Sequence, residues 1–195
     1  MSIFGILLIV IIGIAVYIWF LYNQFVTIKT RIKASIQEIG NQLKRQSNLI
    51  PNLTSSVKGY MKHEKEIFDK LTEARKAVVD AVKSGSSQKL VDASEKMQTA
   101  LGPIRVVFES TPELQAAKPV AKLMDELRDT ADKVMYSRRT LIDLTADFNV
   151  KVVAFPSNLV ARIFNFKQEP GLKVAEEGEH LEVKEGETKT PKVEL

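Results

Sequence analysis

From Ile3 to Tyr22 (IFGILLIVIIGIAVYIWFLY) apolar positions follow one another almost without interruption, and no ionisable side chain other than tyrosine occurs before Lys29. A helix over this stretch is roughly 30 Å long, the hydrocarbon thickness of a bilayer. Ile3, Phe4, Leu7, Ile9 and Ile12 form its body, while Tyr17, Trp19 and Tyr22 gather at its C-terminal end, where aromatic rings favour a membrane interface. A cleaved signal peptide would carry a basic n-region, a shorter apolar run and a small-residue cleavage site, none of which is present. A buried core helix would not be apolar all round over this length without a large surrounding protein. Residues 1–25 are therefore expected to be a transmembrane anchor, with the lipid bilayer as a partner.

Beyond the anchor the pattern changes from continuous to periodic. Ile28, Ile32, Ile36, Ile39 and Leu43 are separated by 4, 4, 3 and 4 residues, a helical seam that no proline interrupts before Pro51. The membrane helix is expected to continue straight into the first soluble helix, with Gly40 tolerated at a cost of about 1 kcal/mol relative to alanine. At Ile50-Pro51 the missing amide donor is expected to break or kink this helix. A second helix is then read on Leu53, Val57, Tyr60, Ile67, Leu71, Ala74, Val78 and Val82, ending at Ser84-Gly85-Ser86-Ser87.

A third stripe, Leu90, Ala93, Met97, Leu101, Ile104 and Phe108, persists across Gly102-Pro103, which predicts one kinked helix rather than two. Pro112 is well placed to start the next helical turn. The fourth segment, about Pro119 to Ala154, is marked by Val120, Met124, Leu127, Ala131, Val134, Leu141, Leu144, Phe148 and Val152. It would span about 50 Å, comparable to the second helix. The stripe is interrupted near Ser137 and Arg138, and Arg138 is expected either to pair with an acidic residue of a neighbouring helix or to meet a partner. The fold class predicted for residues 26–154 is all-α: an elongated antiparallel bundle of about four helices, continuous with the transmembrane helix.

Phe155-Pro156-Ser157-Asn158 ends that bundle. The following Leu159, Val160, Ile163, Phe164 and Phe166 are too apolar to leave in water. Residues 155–170 are read as a capping or docking segment. It either folds over the open end of the bundle or presents Leu159, Ile163 and Phe166 to the membrane or another subunit. From residue 171 to 195 the chain becomes rich in Glu, Lys and Gly, without aromatics, and is expected to be disordered.

Charge adds an orientation. The formal net charge is +4, but residues 167–195 contain five Lys and eight Glu, leaving a tail of −3 on a body of +7. Lys29, Arg31, Lys33, Lys44 and Arg45 follow the span and no Lys or Arg precedes it, so the positive-inside rule predicts a cytoplasmic bundle. The basic residues are otherwise scattered without aromatic interleaving, which argues against nucleic-acid binding.

Candidate chemistry is sparse. The absence of cysteine excludes disulfides, a thiol nucleophile and a Cys-ligated metal. His63-Glu64-Lys65-Glu66 superficially suggests a zinc-protease helix, but position 67 is Ile67 where a second imidazole would be needed, and His180 lies in the tail. No Gly-rich phosphate loop appears, and carboxylates such as Glu64 and Glu66 read as solvated helix groups. No catalytic residue, metal, cofactor or small-molecule substrate is therefore expected.

Four stretches carry a family resemblance: Tyr22-Asn23, QLKRQSNLIPNL (Gln42 to Leu53), VKGYMKHEKEIFDKLTEAR (Val57 to Arg75) and FPSNLVARIFNF (Phe155 to Phe166). In order and spacing they closely resemble the LemA family of bacterial membrane proteins over roughly residues 20 to 166. The resemblance implies an N-terminal anchor and a long antiparallel bundle in a bacterial inner membrane, and names no reaction. The family pattern favours Tyr-Pro-Glu-Leu where Thr111-Pro112-Glu113-Leu114 stands, and Tyr-Asn where Leu141-Ile142 and Phe148-Asn149 stand, so a partner contact made by those tyrosines is in doubt here. The functional expectation is a non-enzymatic, self-associating scaffold that organises membrane proteins or membrane domains. The alternative is an adaptor for a membrane peptidase or signalling system.

Overall fold

The computed structural model describes residues 2–61 and 65–172. His63, Glu64, His180 and the tail beyond 172 lie outside the described residues. Six helices follow in order: α1 (Ile3–Val57), α2 (Lys65–Ser84), α3 (Ser87–Ser110), α4 (Pro112–Ala116), α5 (Lys118–Val153) and α6 (Ser157–Ile163). The class is all-α, as the periodicity predicted.

α1 is one uninterrupted helix of 55 residues, about 80 Å long. Ser2 caps its start, its hydroxyl accepting from the Gly5 amide at 3.3 Å. Among the described residues nothing covers its first four turns, and Ile18 and Leu21 are the first side chains to pack against other elements. An apolar helix left bare in this way is not a core helix, and it is long and apolar enough to cross a membrane.

Pro51 does not break α1, contrary to the expectation from sequence. The helix runs on to Val57, so Leu53 and Val57 belong to the first helix and the second begins only at Lys65. Two physical reasons combine. Pro51 faces solvent, while Ile50, Leu53 and Val57 on the opposite side are buried and hold the last turns against the core. Tyr60, assigned to the second seam, is exposed in the turn after α1. α2 is consequently much shorter than α5, with 20 residues against 36.

α5 runs antiparallel along α1. The Gln46 side-chain amide donates to the Leu127 carbonyl at 3.3 Å, Arg45 meets Glu126 at 3.7 Å, and the Phe25 and Phe148 rings meet at 5.7 Å. α2 and α3 form a hairpin turning at Gly85, whose φ of +64° suits glycine. This hairpin packs on α1 at Gly40, where a Cβ would lie 3.8 Å from Leu90 and 3.9 Å from Val82, and its tip residue Ser87 lines a groove with Ile32 and Ile36. α3 passes through Gly102-Pro103 as a single helix, and Pro112 opens α4. The membrane-distal half is thus a four-helix bundle, while the half nearer the apolar end consists of α1, α5 and whatever follows α5.

Candidate functional site

The segment after α5 closes the membrane-proximal end, and it is built from the backbone outward. The Ser157 hydroxyl donates to the carbonyl oxygens of Lys151 (2.7 Å) and Ala154 (3.0 Å), fastening the elbow to the last turn of α5. The Phe155-Pro156 bond is cis. α6 then ends in a Schellman arrangement: the Phe166 amide donates to Ala161 O at 2.8 Å and the Asn165 amide to Arg162 O at 3.3 Å. Asn165 takes the left-handed conformation this motif requires, with φ of 56°. Asparagine is among the few non-glycine residues that adopt it readily.

That reversal aims Phe166 back into the protein. Its ring stacks on Phe25 with centroids 4.8 Å apart and planes 17° from parallel, and lies edge-on to Phe148 at 6.3 Å. Tyr22 meets Phe164 at 4.8 Å and Phe166 at 5.9 Å. The chain then returns along α5, where Asn149 clamps the Glu169 backbone with two hydrogen bonds, Nδ2 to O at 2.9 Å and N to Oδ1 at 2.8 Å. The Glu169 carboxylate closes the strap on Lys29 at 2.9 Å, and Lys151 Nζ donates to Gln24 Oε1 at 3.0 Å. A groove of about 240 Å³ beneath the hairpin is lined by Ile32, Ile36, Leu141, Ile142 and Leu172, with Ser87, Thr145, Asn149 and Glu169 also on its wall.

The residues singled out from sequence separate into three sets. Ile3, Phe4, Leu7, Ile9, Ile12, Tyr17, Trp19 and Tyr22 are all exposed along α1. In the capping segment Phe166, Val160 and Ala161 face the bundle, whereas Phe155, Pro156, Leu159 and Ile163 face away, Phe155 being 79% and Ile163 68% exposed. The inner face of this segment, Phe166 included, packs on the bundle, and the outer face is left exposed. Arg138 is the third case: its guanidinium donates to Glu95 on α3 at 3.0 Å, and Ser137 takes the buried stripe position beside it.

Sequence reasoning did not single out Phe25, Asn149, Asn165 or Glu169. Asn165 carried a local signal, an asparagine just past a short apolar helix. Phe25 stands three residues before Ile28, in phase with the first seam, but fell within the residues assigned to the anchor, and the Asn149–Glu169 clamp joins residues 20 apart and has no periodic signature. Phe148 is fully buried, so the departure from the family's tyrosine removes nothing from the surface. Among the described residues no group of three His, Asp or Glu side chains could hold a metal ion. The titrating shifts that stand out are at Glu66, held below its usual range by the hydrogen bond and charge of Lys70, and at Lys70, raised by the same pair. Both are fully exposed, an i,i+4 helix contact at 2.7 Å rather than a site.

A family model for the LemA family matches residues 35–185. The chain belongs to the LemA family. Its curated relatives include magnetosome protein MamQ of Magnetospirillum gryphiswaldense, 25% identical over 75% of this chain and 62% of that protein. Protein LemA of Metamycoplasma hominis is 23% identical over 72% of this chain and 63% of its own length. The chain thus spans less than two thirds of the relatives it matches. The family match begins after the apolar stretch, and α1 from Ser35 onward, α2 to α6 and the strap fall within it.

Proposed function

We propose that this LemA-family protein is a non-enzymatic scaffold of the bacterial inner membrane, self-associating through its bundle and organising membrane proteins or membrane domains from the cytoplasmic side. The observation that carries this reading is the unbroken helix from Ile3 to Val57. A flexible linker would let a tethered domain sample many orientations. A continuous helix holds the bundle surface at a set height and angle, which suits a spacer or assembly element better than a tethered catalyst. Basic residues after the span, Lys29, Arg31 and Lys33 first, support the cytoplasmic orientation.

Crosslinking in native membranes, followed by mass spectrometry, tests the proposal. Self-links between bundle surfaces are the expected result, together with an oligomer in light scattering of the full chain in detergent. A monomer by both methods refutes self-association. Links to one heterologous protein in fixed ratio, without self-links, would make the chain an adaptor instead.

A further inference from the structure

The inner face of the elbow is spent on the bundle, and no described residue covers its outer face. Val153, Phe155, Leu159, Ile163 and Phe164 are all exposed there, and Leu159 and Ile163 lie one turn apart on the same side of α6. In a protein surrounded by water this would be an unexplained apolar surface. Its position supplies the explanation. The Phe164 ring touches Tyr22, and Tyr22 lies about 29 Å along α1 from Ile3, at the depth where a helix crossing a bilayer leaves the hydrocarbon. The elbow therefore sits beside the emerging helix, level with the headgroups.

Its charges agree with that placement. Residues 150–168 contain Lys151, Arg162 and Lys167 and no acidic side chain. The nearest carboxylate on the strap, Glu169, is occupied by Lys29. Arg162 lies between Ala161 and Ile163 on α6, and Lys167 follows Phe166, so cationic side chains flank the apolar ones at a surface where anionic lipid headgroups attract them.

We propose that the α5–α6 elbow is a membrane foot. Phe155, Leu159, Ile163 and Phe164 enter the headgroup–acyl boundary of the leaflet from which α1 emerges, and Arg162 and Lys167 contact anionic lipid phosphates. Apolar helix faces in this setting bury roughly 5–10 Å into the headgroup–acyl boundary. A soluble partner would have to reach the same patch through the headgroup layer, whereas lipid is already continuous with the exposed face of α1. The foot turns a single-helix tether into a two-point attachment and opposes tilting of the stalk. It rests on the reading of Ile3 to Tyr22 as a membrane span.

The chain has no cysteine, so single-cysteine variants can be labelled cleanly with an environment-sensitive fluorophore. Full-length Leu159→Cys and Ile163→Cys would be reconstituted into phosphatidylcholine–phosphatidylglycerol vesicles containing nitroxide-labelled lipids. Ile12→Cys in the span and Met135→Cys on the exposed side of α5 serve as controls. Quenching at 159 and 163 several-fold above that at Met135, and reduced by combining Arg162→Gln with Lys167→Gln, is the expected result. If Ile12 is quenched while 159 and 163 behave like Met135, the foot is wrong and the span stands. An unquenched Ile12 removes the span, and the foot with it. Energy transfer between Ile163 probes on different copies, without lipid quenching, would assign the patch to a second copy and overturn the lipid assignment.

Discussion

Replacing Phe148 with alanine strikes the narrowest part of the bundle. At this level the α2–α3 hairpin no longer covers α1 and α5, and the Phe148 ring, fully buried, is packed against Phe25 at 5.7 Å and Phe166 at 6.3 Å. Truncating a buried phenylalanine in a core costs about 3–5 kcal/mol, and each favourable aromatic pair contributes about 0.5–1.5 kcal/mol of coupling within that loss. Little else can close the gap, since the neighbouring elements are two long helices and a strap pinned by Asn149 and Lys29. The upper end of the range is therefore expected. For a bundle of this size each 1 kcal/mol shifts Tm by about 2–4 °C, so Phe148→Ala should lower it by roughly 8–20 °C. Circular dichroism melts of the full chain in detergent measure this, with Met135→Ala as an exposed control. Hydrogen exchange adds a spatial check, because α6 and the strap should lose protection before the hairpin does. A drop no larger than that of Met135→Ala, or one uniform over α2, α3 and α6, would refute the view that these rings hold the lower bundle together.

Four further outcomes follow from single sites. Gly40→Ala should stabilise by about 1 kcal/mol, since its Cβ would meet Leu90 and Val82 at ordinary contact distances of 3.8 and 3.9 Å; a lower Tm would mean the hairpin packs closer than described. Pro51→Ala should also stabilise, by up to about 3 kcal/mol and seen as a higher Tm, because it restores an amide donor inside a helix that already continues past it; a loss would show that the ring itself packs usefully. Asn165→Gly should be nearly neutral while Asn165→Val costs about 1–2 kcal/mol at the left-handed position, with exchange at the Phe166 amide as the readout. The Glu66–Lys70 contact should give a small helicity gain in α2 that is present above the ordinary carboxylate pKa of 4.5 and lost as pH falls through the depressed Glu66 value. On the basic side it is present below 10.5 and lost as pH rises through the raised Lys70 value, and Lys70→Met should abolish both limbs.

The sequence by itself determined those features whose cause is local or periodic. Continuous apolarity from Ile3 to Tyr22 predicted the anchor, because hydrocarbon thickness translates directly into residue number. The 3–4 spacing of Ile28 to Leu43, of Leu90 to Phe108 and of Val120 to Val152 predicted the long helices, because one face of each had to be buried. Gly102-Pro103 was rightly read through, since the stripe on either side of it stays in phase. The same reasoning misplaced the end of α1: proline propensity argues for a break at Ile50-Pro51, yet burial of Ile50, Leu53 and Val57 outweighs one missing hydrogen bond.

Tertiary structure alone decided where the capping segment goes and which way each of its rings faces. Phe164 and Phe166 are chemically identical and two residues apart, and their surroundings differ only because Asn165 reverses the backbone between them. Phe25, Phe148 and Phe166 come from three distant parts of the chain, so no pattern within any one helix reports their meeting. The interruption at Ser137-Arg138 likewise acquired its meaning only from Glu95 on another helix. Periodicity specifies that a face must be covered, because burial is a property of each helix. What covers it depends on register between helices, which is set by side-chain contacts over long sequence separations.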